Sequence, residues 1–376
     1  MAYIKESERQ EIIKKVRLTG GITLRNQQVK VHTNGVKFLI NRNYVDDGLI
    51  LEDKNYMLII VPELNDKYIE ETKKKKLEFE FTDSEFIRCL KAIAGYYGMD
   101  YDFAWLYGGT GFAFMNCLHY DFLNEGGIHG WKIDRIFPLV ANLGLNIRPV
   151  GEINKKSPSD DHQRIENAIK DGIDRNIPQL IITKHHSHVI VGYSDFCFYI
   201  KPETRLIPKQ ITAGTWEEFT EEDVISIYSV TEVPAIDDKT IIKAAISAGI
   251  DMWENPSAWV EAPFVAGLDV PDVWMNTFKD QGGSWLNHLH KEHMFLYGQI
   301  TAINRKMRVE FLKQVAEKIP INDEGKEIVE SIETSMLKIM SYSAMANWSD
   351  ISQISKVKES LVEILDAMKK LLGIIK

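Results

Sequence analysis

The chain has 376 residues, 44% of them hydrophobic and 26% charged, with a formal net charge of −9. That length allows two or three domains around a sizeable core, and the composition is that of a folded globular protein. The acidic balance lacks the basic footprint of a nucleic-acid binder, and no apolar stretch reaches the roughly 20 residues of a membrane helix.

The polar, acid-bearing start, Met1 to Arg9, does not read as a signal peptide, so a cytoplasmic protein is expected. After a short N-terminal helix, residues 1–80 read as β-rich. Val29 to Val31, Val36 to Ile40, Leu49 to Leu51 and Met57 to Val61 are short β-type runs, and Asn34-Gly35 is a hairpin signal between two of them. The basic run Lys73 to Lys76 is flanked by acids and reads as a solvated segment.

A helix is predicted from Thr82, with Glu85 three residues on completing a capping box. Phe86, Cys89, Leu90, Ile93, Ala94 and Tyr97 fall on one face of it, and Gly98 is placed as its C-terminal cap. The segment Tyr107-Gly-Gly-Thr-Gly-Phe-Ala-Phe114 reads as a glycine-rich turn entering an apolar stretch. Trp131 to Leu143 is amphipathic and Gly144 ends it; Asp161 to Asp174 is a further helix. Three strands follow at Gln179 to Thr183, His188 to Tyr193 and Cys197 to Ile200, and another at Ile225 to Val230. From Asp237 the pattern is helical, interrupted by a junction with Pro256, Pro263 and Pro271 and with Trp253, Trp259, Trp274 and Trp285. Ile351 to Leu372 is an amphipathic helix of a bundle. Helices followed by a sheet predict an α+β fold.

Candidate chemistry gathers around a few residues. Cys89, Cys117 and Cys197 are widely spaced and form neither a disulfide framework nor a zinc pattern, which fits a reducing compartment. Cys89, on the apolar helix face, is expected in the core. Cys117 is a candidate nucleophile with His119 or His188 as base, against the commoner fate of a buried, inert thiol. Alternation along a strand sends His186 and His188 to one face and His185 to the other. Two imidazoles on one face are metal donors, yet no third ligand is visible beside them. In His288-Leu-His290-Lys-Glu292-His293 the candidate donors divide between two helix faces. No metal or other cofactor is expected. Gly108, Gly109 and Gly111 lack the Lys-Ser/Thr of a P-loop, and read as a tight turn near a cleft wall.

Cys89-Leu90 with Tyr96-Tyr97-Gly98, and His188-Val-Ile-Val191, resemble the two halves of a papain-like site, as in bacteriocin-processing cysteine peptidases. There the nucleophile lies four residues before the Cys-Leu pair, and Glu85 occupies that place. Phe79 stands at the position of the oxyanion-binding Gln, and Lys201 at that of the orienting Asp or Asn before Pro202. A wider resemblance covers roughly residues 80–370. Asp100-Tyr-Asp102, Leu106 to Phe114, the Trp131 helix, Gly144, the His188 strand and Gly267-Leu-Asp-Val-Pro-Asp-Val-Trp274 are similar to the butirosin-biosynthesis acyltransferase family. That resemblance implies a papain-like cysteine-peptidase fold at 81–235, after the β-rich segment 1–80 and before a helical C-terminal domain at 236–376. It also implies a cleft lined by Gly108, Gly109, Thr110, Gly111 and His186.

Family members move an acyl group from a carrier protein to an amine through a cysteine, which this chain lacks at the matching place. The first expectation is therefore a catalytically degenerate protein of bacterial natural-product biosynthesis. It would bind a small-molecule, acyl, peptide or carrier-protein-linked ligand in the former cleft. The alternatives are an acyltransferase or amide hydrolase with His188 as base and Ser84 or Cys117 as nucleophile, and an interaction protein acting through its helices. The tryptophan-rich junction and amphipathic tail fit a homodimer.

Overall fold

A computed structural model describes residues 77–80, 82, 84–119, 130–154, 156–183, 186–193, 198–201, 212–214, 224–281, 304–344 and 351–375. It also describes short pieces at 2–3, 21–24, 27–32, 35–37, 50–51 and 67–69. The architecture is mixed α+β. Near the N-terminus, β1 (Ala2–Tyr3) pairs antiparallel with β5 (Ile50–Leu51), and β2 (Gly21–Leu24), β3 (Gln27–His32) and β4 (Gly35–Lys37) form a small antiparallel sheet. His32 stands opposite Gly35, so β3 and β4 make the hairpin that Asn34-Gly35 signals. The run Met57 to Val61 and the basic segment Lys73 to Lys76 lie outside the described residues.

Among the described residues the central sheet has seven strands, all antiparallel to their neighbours. Its order runs β12 (Thr212–Gly214), β11 (Phe198–Lys201), β10 (Ser187–Tyr193), β9 (Gln179–Thr183), β13 (Ile225–Glu232), β8 (Leu145–Ile153). The two-residue strand β6 (Lys67–Tyr68) joins β10 at Gly192 and Tyr193. Sequence patterning misses β8, because Pro149 and Gly151 argue against a strand. Among the described residues β8 is an edge strand, where a proline is tolerated. The ladder to β13 shifts register between Ile227 and Tyr228, opposite Gly151 and Pro149, so an irregular step absorbs both residues.

Apolar side chains of the sheet divide between two cores. Ile153, Ile181, Ile190, Ile225 and Ile227 pack with Ile165, Ile169 and Ile173 of α4 (Ser159–Asp174). Leu145, Ile147, Leu180, Val189, Val191 and Val230 face the larger core. That core contains α1 (Glu85–Tyr96), α2 (Phe103–Gly109) and α3 (Phe137–Asn142). It runs on without a break into α5 (Asp238–Glu254), a helix at 304–318 (α7), α8 (Asp323–Ala344) and α9 (Ile351–Ile374). A further helix, α6 (Val270–Gln281), follows the proline-rich junction, where β14 (Phe264–Ala266) pairs with β7 (Cys117–His119).

Arg308 of α7 ties the late helices to the early ones. Its guanidinium is buried and donates twice to the Ala113 carbonyl, at 3.0 and 2.7 Å, and it lies over the rings of Phe114 and Trp253. Burial pushes its pKa down to about 9, which leaves it charged at neutral pH. Among the described residues no helix is long and apolar enough to cross a membrane.

Candidate functional site

The first turn of α1 meets the start of β10. The N-cap of α1 is Ser84, whose hydroxyl oxygen accepts from the Ile87 N–H at 3.3 Å. This overturns the capping box expected at Thr82. The Thr82 hydroxyl pairs with the Tyr107 hydroxyl at 2.9 Å instead. Moving the cap two residues makes Glu85 the first helical residue. Its carboxylate then turns sideways to the strand rather than back to its own cap. At the other end of the helix, Gly98 has φ +83° and its N–H bonds the Gly95 carbonyl, so the expected terminal glycine is in place.

Glu85 Oε2 accepts from the Ser187 N–H at 3.1 Å and lies 3.2 Å from His186 Nδ1. The described β10–β11 pairing begins at Val189 opposite Lys201. Two residues before that step, the Ser187 N–H turns to Glu85. The His186 and His188 rings stack 5.7 Å apart at 29°, as alternation along the strand predicts. His188 is buried, whereas the His186 side chain is 41% exposed and that of Glu85 25%. Behind the carboxylate, Arg88 Nη2 lies 3.7 Å from Glu85 Oε1. Burial raises the Glu85 pKa, but the hydrogen bonds of His186 and the Ser187 N–H outweigh it and hold the carboxyl below its usual range. The arrangement is an ionised carboxylate at a helix N-terminus, where the helix dipole favours negative charge, beside two imidazoles.

The remaining candidates lie elsewhere or are engaged. Ser84 serves as the helix cap, its hydroxyl oxygen accepting from the Ile87 N–H. Cys117 sits in β7, outside the sheet that carries His188, and is buried; burial pushes its thiol well up. A thiol held protonated in that way is a poor nucleophile, which corrects its candidacy. His119 is buried edge-on against Phe264. Cys89 is a core residue as expected, and its thiol donates to the Ser187 carbonyl at 3.4 Å.

The glycine segment is also reassigned. Gly108 and Gly109 are the last residues of α2, and both are buried with Thr110 and Gly111. A Cβ on Gly108 would stand 1.9 Å from the Phe311 ring, and one on Gly109 2.9 Å from Leu143. The Thr110 hydroxyl donates to the Leu106 carbonyl at 2.6 Å. These residues serve close helix packing and line no open cleft, because their surfaces are already covered. His185, Cys197 and the segment His288 to His293 lie outside the described residues. Phe79, at the oxyanion position, is a partly buried packing residue.

The donor missing beside His186 and His188 in the sequence is Glu85, and the resemblance alone pointed to it, by counting back from Cys89. With two imidazole nitrogens and a carboxylate oxygen the cluster could hold a metal ion, and without one it is a hydrogen-bonded acid–base group. A scan against protein-family models finds no match for this chain, and a search of curated proteins finds none either.

Proposed function

We propose that this chain is a papain-like protein in which a carboxylate has replaced the catalytic thiol. On this reading it binds a small acyl, peptide or carrier-linked ligand beside Glu85, His186 and His188, in bacterial natural-product biosynthesis. The observation that carries the reading is the position of Glu85. It stands at the start of a buried helix and reaches the strand that bears His188, the relation a papain-like thiol has to its base. Acyl transfer by that route needs a thiolate. A carboxylate ion-paired and hydrogen-bonded at that place is a much weaker nucleophile, while an exposed imidazole and a fixed charge remain able to hold a polar ligand.

The test uses an acyl-pantetheine thioester as probe. Binding without turnover predicts a concentration-dependent rise in melting temperature that is lost in His186→Ala, with no thiol released above the buffer rate. Thioester cleavage that disappears in His188→Ala would show an enzyme and sink the binding reading. A flat melting temperature across thioester and short-peptide probes would sink it equally.

A further inference from the structure

Glu85, His186 and His188 each bring one donor atom to a common point, and the three atoms lie within 4.8 Å of one another. We propose that these residues form a three-ligand site for a divalent transition-metal ion, best matched by zinc, with a fourth coordination position open to water or ligand. The inference deepens the reading above, and rests on it for the ligand that would take the fourth position.

The donor set comes first. Two imidazoles and a carboxylate are ligands for zinc and its first-row neighbours, whereas calcium and magnesium take oxygen. The same set with one position left open is a recurrent arrangement around non-structural zinc.

Distances agree with that chemistry. Tetrahedral zinc with bonds of about 2.0–2.1 Å has ligand atoms roughly 3.3 Å apart. His186 Nδ1 and Glu85 Oε2 are separated by 3.2 Å. The ion would take the place of the proton these two atoms share, and that proton would leave to solvent. Drawing in the third donor takes a side-chain movement on the order of 1 Å, set against the roughly 3.3 Å edge. The exposed face of His186 supplies the entry path.

The other groups around the cluster must be weighed. The α1 N-terminus and Arg88 both oppose a cation there. A helix end repels a cation only weakly, and the effect falls off within the first turn. Direct ligation of a metal ion by three side-chain donors is a far stronger interaction, so ligation outweighs the dipole. Arg88 Nη2 lies 3.7 Å from the second carboxylate oxygen, so it sits in the outer shell of the ligating group. A simple latch between helix and strand would need one imidazole on Glu85. Beyond that latch, a second ring is stacked on the first and brings its own donor atom within 4.8 Å of the same carboxylate.

The experiment uses the full-length chain, stripped with chelator and titrated with zinc chloride by calorimetry. Cobalt absorption reports the coordination geometry. One ion per chain is expected with Kd below about 1 μM. Glu85→Gln, His186→Ala and His188→Ala should each weaken that binding by roughly 100-fold or more, since even loss of an outer contact costs 10–100-fold. His162→Ala, outside the cluster, should leave it unchanged. Glu85→Gln keeps the side-chain shape and decides the matter if a histidine variant fails to fold. No zinc binding at micromolar concentration overturns the proposal, as does binding that Glu85→Gln and His188→Ala leave intact. If zinc fails while the thioester probe still shifts the stripped protein's melting temperature, the metal site alone falls. If zinc binds as expected and no probe shifts it, the ligand-binding reading falls instead.

Discussion

Glu85 is held between burial, which favours its neutral form, and two hydrogen bonds that favour its charge; the bonds prevail and the carboxyl pKa is lowered. A carboxyl with a folded pKa below its unfolded value adds stability above the unfolded pKa and loses it as the pH falls through the folded one. Glu85→Gln is therefore expected to cost about 1.5–3 kcal/mol at neutral pH, the range for a hydrogen bond to a charged group. The gap from the parent chain should close as the pH drops below about 4. Urea unfolding of metal-free protein across a pH series measures this, and a gap unchanged at low pH would refute the ion-paired carboxylate. All three residues of this small site were legible in the sequence, though the contact between them was not. Strand alternation put His186 and His188 on one side, and a family spacing pointed to Glu85. The capping rule then misdirected, because Thr82 and Ser84 are both good cap residues two positions apart. No local rule chooses between them. The Ser187 N–H, more than a hundred residues on, offers a partner that only the start at Glu85 satisfies.

At the scale of elements, α2 and α7 approach so closely that the last turn of α2 has to be glycine. Gly108→Ala would drive a methyl into the Phe311 ring, and is expected to cost about 1–3 kcal/mol as overpacking. Phe311→Ala leaves a cavity worth about 3–5 kcal/mol. Combined, the two should cost less than their sum, since the methyl then occupies space the ring has left. Thermal or urea unfolding of the four proteins checks this, and strict additivity would sink the close approach. The sequence suggests a turn here because two consecutive glycines in a helix cost about 1 kcal/mol each. Packing against a ring two hundred residues away overrides that preference. Strand β8 was hidden for a related reason: among the described residues it lies at an edge, where its proline is tolerated, a fact about its neighbours. The strongly periodic segments, α1 and the amphipathic tail α9, were readable in advance because one face of each carries an unambiguous apolar pattern.

Over the whole molecule, one apolar core joins residues from Phe86 to Ile375, and Arg308 plants its charge on the Ala113 carbonyl inside it. Two sections that share a core and a buried cation cannot melt independently. Calorimetry of the full chain should give one cooperative transition for the described body; two well-separated transitions, one of them belonging to the late helices, would contradict the shared core. The α+β class was visible from the order of helices and strands. The merging of helices and sheet into one interior was not, because a long-range contact leaves no periodic trace in either partner. Pro149 on β8 carries a different implication. A sheet can grow by accepting a strand from a neighbouring molecule along its outermost rung, provided that rung offers a regular row of donors. Among the described residues, β8 is that outermost rung, and it carries a proline with no N–H and an irregular step in its register. Among the described residues, that side of the sheet is therefore a poor template for fibrils.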